Sequence, residues 1–195
     1  LPNDAIGAIA SGDPVLALRS ATQALHAQLD SQLPLAQPAD ATQSLHHYHA
    51  HLSVLHGWLS DLMPALQRAG WGQDLLEPLR ADLADAGLAG EPAGQARPPV
   101  QTEAAAWGLA YVVEGSQLGG RVLHQRLRSA GVRVPLRYLE GRGAGTAAHW
   151  KGFLQSLRAA LVEPADVAAA SAAACWAFED LLARFRRSGW IQDAR

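Results

Sequence analysis

Three glycines within six residues, Gly115, Gly119 and Gly120, interrupt a stretch whose other residues pattern as helix, WGLAYVVEGSQLGGRVLHQRL from Trp107 to Leu127. Glycine in a helix interior costs about 0.5–1 kcal/mol relative to alanine, so the three together sacrifice roughly 2–3 kcal/mol. A chain that keeps them needs a compensating contact. Gly115 and Gly119 are one turn apart and share a face. A face without Cβ atoms lets the backbone touch whatever lies against it, and it makes the helix easier to bend. Two occupants are open at this point: a second helix packed unusually close, or a flat, rigid ligand that any side chain would strike.

The rest of the chain supplies helices around that stretch. Asp13-Pro14 places a capping carboxylate before proline at the first helical position. Val15, Leu16, Leu18, Leu25 and Leu29 follow at helical spacing up to Pro34. A second helix starts near Asp40 or Thr42 and carries Leu45, Leu52, Leu55, Leu59 and Leu62 to Pro64, which is expected to kink or end it. A shorter helix covers about 73–86, and residues 87–99, with three glycines and three prolines, read as a loop. The glycine helix is expected over about 101–130, a glycine-rich loop at 141–145, and two last helices near 146–161 and 165–187, with Pro164 between them. Alanine and leucine dominate and long valine or isoleucine runs are missing, which favours helix over sheet. At 195 residues and 49% hydrophobic, the chain suits one well-cored domain. That domain is expected over 14–190, with a flexible arm at 1–13 and a tail at 191–195.

Several function classes fall away. The formal net charge is -2 and the basic residues are scattered, so a nucleic-acid partner is not expected. The single cysteine, Cys175, excludes an internal disulfide framework and fits a reducing compartment. No apolar run approaches the roughly 18–20 residues of a membrane span, and Leu1 to Asp13 lacks the basic start and apolar run of a secretory signal. A cytoplasmic location is therefore expected, and the absent initiator methionine points to a start further upstream.

His26 lies on the first helix, in LRSATQALHAQLD. A lone helical histidine is usually an ordinary surface or core residue. Asp30, however, follows it by one turn on the same face. A carboxylate there can accept the ring N–H and hold the other nitrogen towards a metal, the usual support for a ligating histidine.

Together the two stretches resemble the haem oxygenase family, most of all its bacterial members found with phytochromes. The proximal pattern L-[KR]-x-A-T-x-x-x-H is matched by Leu18, Arg19, Ala21, Thr22 and His26. The distal pattern, a glycine, three residues, Gly-Gly, a polar residue and Val-Leu, is matched by Gly115, Gly119, Gly120, Arg121, Val122 and Leu123. The motifs occur in the right order about 90 residues apart, and helix order agrees from about 14 to 187.

The resemblance implies an all-α, single-domain bundle holding haem b between a proximal helix and a kinked, glycine-rich distal helix. It implies His26 as the iron ligand and oxidative opening of the macrocycle to biliverdin, releasing CO and ferrous iron. A neutral histidine ligand suits that path, because a thiolate would favour O–O cleavage. Oxygen and electrons from a ferredoxin or reductase are the implied co-reactants, and a biliverdin-accepting phytochrome is an implied partner of a monomeric enzyme. Gly115 and Gly119 would press on the distal ligand, with Gly120 beside them. Many relatives carry an aspartate after the first glycine to organise distal water, and this chain has Ser116 instead. A hydroxyl donates and accepts hydrogen bonds but carries no charge at neutral pH. Arg19, and after it Tyr111 and Lys151, are the candidates to hold the propionates, and Phe178 a candidate for the pocket wall.

Other constellations carry less. His46, His47, His49, His51 and His56 crowd the second helix, but no carboxylate or cysteine completes a zinc set and five histidines around one helix cannot converge. No Glu-x-x-His pair supports a di-iron bundle. Thiaminase-like proteins share the architecture but use a cysteine nucleophile, and Cys175 sits in an apolar alanine-rich run that reads as packing. Besides the enzyme, a non-catalytic haem carrier or sensor on the same fold stays open, as does a bundle whose glycine face packs a helix and binds nothing.

Overall fold

A computed structural model describes residues 12–37, 39–94, 96–98 and 102–191. The described residues form seven α-helices joined by short 3-10 turns and loops, with no strand among them. Of the expected arm at 1–13 and tail at 191–195, residues 1–11 and 192–195 lie outside the described residues.

Helix α1 spans Pro14–Gln32, and its start follows from the capping pair: Asp13 Oδ1 accepts the Val15 N–H at 3.0 Å. Asp13 also pairs with Arg158 at 2.8 Å, so it fastens α1 to a later helix. Leu33 turns extended ahead of Pro34, which ends the helix. Helix α2, Ala41–Ala69, is capped by Asp40 and closed by Gly70 in the left-handed region at φ 74. Contrary to expectation, Pro64 does not stop α2. It occupies an exposed position, and the buried Leu59, Leu62, Ala65 and Leu66 hold the helix on both sides of it.

Helix α3 is Leu76–Asp85 and α4 is Glu103–Ser129. Helix α4 opens with the Thr102 hydroxyl accepting the Ala105 N–H at 3.1 Å, then runs through all three glycines as one helix. A short helix α5, Arg137–Glu140, was not legible in the sequence; α6 is Thr146–Ala160 and α7 is Pro164–Arg187. Pro164 stands at the first position of α7, where its missing N–H costs nothing.

Helix α7 organises the bundle, packing extensively on α4 and on α1, while α2 covers another side of α4. The α4–α7 contact is closest at Gly108: a Cβ there would lie 2.0 Å from the carbonyl oxygen of Ala170. Nearby, residues 104–110 are all buried, so the first half of α4 is core. Fully buried Arg184 joins α7 to α2 by pairing with Asp61 at 2.6 Å and with Asp180 at 2.8 Å. Helices α1 and α4 both rest on α7 but do not pack extensively on each other. We take the space left between them over α7 as the candidate cleft.

Candidate functional site

One wall of the cleft is α1. His26 Nδ1 lies 2.9 Å from Asp30 Oδ2, and the two side chains are 62% and 64% exposed. The carboxylate engages Nδ1, which leaves Nε2 as the atom available to a metal. Phe178 of α7, itself buried, meets the imidazole edge-on with ring centroids 5.7 Å apart. The ring is thus held at its Nδ1 and along one edge, although it stands at the surface. Arg19, two turns earlier, is exposed.

The other wall is the glycine stretch of α4. Burial raises the Tyr111 phenol, and the Arg19 cation acts against it. At the other end, the Arg126 guanidinium donates to the Ala36 carbonyl just past α1.

Around Gly115 and Gly119 nothing among the described residues explains the glycines. A Cβ on Gly119 would meet no atom within 4 Å, and one on Gly115 would make only ordinary contact with the Trp150 ring at 3.5 Å. The apolar side chains beside them are uncovered: Val122 is 61% exposed and Leu118 39%. Tyr111, Gly115, Leu118, Gly119, Val122 and Arg126 fall on one helical face. Of the two occupants left open by the sequence, helix packing therefore accounts for Gly108 and not for Gly115 or Gly119.

Gly120 points another way, its missing Cβ 3.7 Å from Leu139 of α5. Ser116 stands between the open face and α5. Its side chain is exposed, and Oγ donates to the Val113 carbonyl at 2.7 Å. Glu114 turns away from the cleft. It is buried and paired with Arg142 at 3.1 Å and His149 at 3.1 Å, and Arg142 continues to Asp74 at 2.8 Å. Lys151 is exposed next to Trp150 and makes no ion pair among the described residues.

Asp30 and Phe178 thus hold His26 on α1, Arg19 is exposed on the same helix, Tyr111, Gly115 and Gly119 share one face of α4 with Ser116 beside it, Gly120 faces α5, and Lys151 is exposed on α6. Sequence reasoning missed Trp150 and the ion network around Glu114. Trp150 had a readable signal, an aromatic one residue from Lys151 in the same stretch. The others are joined only by the fold. The α2 histidines go to separate neighbours: His46 and His47 to Trp190, His51 to Phe185, His56 to the Glu91 carbonyl. No group of three metal-binding side chains converges among the described residues. Cys175 donates to the Ala21 carbonyl at 3.4 Å, and burial pushes its thiol up, the reverse of an activated nucleophile. None of the described helices is long and apolar enough to cross a membrane.

The chain is similar to known proteins in sequence and in fold. The chain is 37% identical over 147 residues, 73% of its own length and 84% of the other's, to a heme oxygenase of Xanthomonas campestris pv. campestris (strain 8004). Its fold matches that of the solved heme oxygenase of Neisseria meningitidis in its NO- and CO-bound forms, with a TM-score of 0.75 at 18% identity, covering 95% of this chain and 96% of that one. No family model matches the chain.

Proposed function

This chain belongs to the haem oxygenase family and so degrades haem, and we propose that it does so in the cleft between α1 and α4. The observation that carries this assignment is a glycine face on α4 that no described residue crowds, together with a carboxylate-braced histidine on α1. The residues fit the substrate. Val122 and Leu118 offer uncovered apolar surface to a flat macrocycle, the absent Cβ atoms of Gly115 and Gly119 make room for it, and Arg19 offers a cation to its propionates.

Haem, as substrate, supplies the iron at which oxygen is activated and the ring that is opened to biliverdin, releasing CO and ferrous iron. The chain's residues bind, orient and exclude water. His26 is the iron ligand through Nε2, and Asp30 raises its basicity and fixes its tautomer. Phe178 sets the plane of the imidazole. Gly115 and Gly119 bring backbone against the distal side and restrict the directions open to a diatomic ligand. Ser116 offers a hydroxyl at the edge of that face, in place of the carboxylate of many relatives. Tyr111 is the further propionate partner, with Gly120 giving α5 its close approach. A ferredoxin or reductase supplies electrons, the enzyme works as a cytoplasmic monomer, and a phytochrome is the acceptor of its biliverdin.

Hemin titration tests the site. Wild-type protein is expected to shift the Soret band and His26→Ala to lose that shift; an identical shift in the variant rejects His26 as ligand. Ascorbate or reduced ferredoxin then tests turnover. Biliverdin and ferrous iron are expected, and a haem spectrum that persists under reduction and oxygen would instead mark a carrier or sensor.

A further inference from the structure

Among the described residues outside α4, only Trp150 of α6 comes within 4 Å of where the Cβ atoms of Gly115 and Gly119 would be. A Cβ on Gly115 would lie 3.5 Å from Trp150 Cη2 and 3.8 Å from Cζ3, while one on Gly119 would meet nothing. Those two carbons are the far edge of the six-membered ring, so the indole reaches α4 with its tip. Both distances are ordinary contact, and the ring would tolerate an alanine at 115. Trp150 therefore does not require the glycine. With glycine there, the indole tip and the α4 backbone form one surface with no Cβ between them.

The indole is held in place by other rings. It stacks on Phe153 with centroids 5.4 Å apart and planes 17° apart, and Phe153 is fully buried. Phe153 in turn meets Trp71 and Trp107, so the stack stands on the core. Trp150 also meets Tyr111 of α4 at 5.7 Å, tilted by 44°. Tyr111 lies one turn before Gly115 on the same helical face. Trp150 itself is half-buried. It is rooted in the core yet open on part of its surface, as a wall residue is.

We propose that Trp150 is a specificity-determining residue for haem: its indole tip bounds the macrocycle at the Tyr111–Gly115 end of the α4 face and so fixes the rotation of the macrocycle in its own plane. A flat ring resting on the backbone of Gly115 and Gly119 has no lateral stop on the glycines themselves. A rigid indole on a fixed stack supplies one, and aromatic edges and faces attract a second π-system. The Gly119 end has no such neighbour among the described residues, so the seat is bounded at one end and has a direction. Which edge of the macrocycle is presented for oxidation follows from that rotation. The inference rests on haem binding in the α1–α4 cleft.

The test compares the hemin complexes of wild type, Trp150→Phe and Trp150→Leu. Phenylalanine keeps a ring to stack on Phe153 but lacks the carbons that reach Gly115, and leucine removes the ring altogether. Proton NMR of the ferric cyanide complex resolves the haem methyl resonances, whose spread reports the rotation of the macrocycle. Both variants are expected to change that pattern and to shift the ratio of biliverdin isomers with it. Hemin affinity by Soret titration is expected to fall about 2–3-fold in Trp150→Phe and about 3–10-fold in Trp150→Leu, the size of an aromatic contact. Urea denaturation is expected to place Trp150→Phe at the wild-type midpoint, so a purely structural role would leave its hemin readouts unmoved. A wild-type methyl pattern and affinity in Trp150→Phe, or changes that only track a lowered urea midpoint, would overturn the proposal. Gly119→Leu separates it from the reading beneath it. If Gly119→Leu blocks hemin while the Trp150 variants bind it as wild type does, only the role of Trp150 falls. If Gly119→Leu binds hemin as wild type does, the cleft assignment falls and this inference with it.

Discussion

Asp30 Oδ2 stands 2.9 Å from His26 Nδ1 one turn along α1, with both side chains more than half exposed. An exposed pair of this kind adds at most about 1 kcal/mol to a fold and often nothing measurable. Its geometry has a use only if the other ring nitrogen has work to do. Asp30→Ala is therefore expected to leave the urea midpoint nearly unchanged and to weaken hemin binding roughly 10–100-fold, the usual effect of removing a histidine's supporting carboxylate. Unchanged affinity by Soret titration would show that Asp30 is a bystander.

The glycines of α4 separate by what a methyl group would meet. Gly119→Ala puts a Cβ into open space and is expected to stabilise the free protein by about 0.5–1 kcal/mol. Gly108→Ala drives a Cβ into the Ala170 backbone and is expected to cost at least about 1–3 kcal/mol. Gly119→Leu tests the cleft, with stability kept and hemin affinity lost. If Gly119→Leu binds hemin as well as wild type, the open face is not where the macrocycle lies.

The helices were legible because their ends carry local chemistry: Asp13 with Pro14, Asp40 and Pro164 each mark a boundary that the structure keeps within a residue or two. Pro64 misled because the lost hydrogen bond is a local cost, while the leucines buried around it act through the whole core. The cleft was legible in its two walls, since His26 with Asp30 and Gly115 with Gly119 are each a one-turn pattern. What lies between the walls was not. Glu114 and Arg142 meet only after α5 and the following turn fold back on α4, and no spacing records that return. The sequence also could not tell Gly108 from Gly119; the distinction is the distance to Ala170.

Glu114 is 1% exposed, and Arg142 places Nη1 and Nη2 at 3.1 and 3.2 Å from its two oxygens. Removing one partner of a buried pair leaves an uncompensated charge. Arg142→Met is expected to lower stability by about 3–5 kcal/mol in urea denaturation, lessened by whatever His149 can still supply. Adding Glu114→Gln should recover part of that loss, because the stranded charge goes with it. Additive losses in the double variant would mean that the pair is not coupled.

His51 stacks on Phe185 with centroids 5.4 Å apart, its Nδ1 buried without a hydrogen-bond partner among the described residues. Burial pushes the imidazole down from 6.5 to about 4. The unfolded chain takes up this proton as pH falls through 6.5, whereas the folded protein refuses it until about 4. The stability that His51 provides as a neutral ring is thus complete above 6.5 and drains as pH drops, at up to about 1.4 kcal/mol per pH unit within that window. His51→Phe keeps an aromatic ring for Phe185 and has no proton to take. Its stability, measured in urea from pH 7 to pH 4, is expected to fall less steeply than that of the wild type. Parallel curves through this range would show that His51 is protonated in the folded protein as readily as in the unfolded chain.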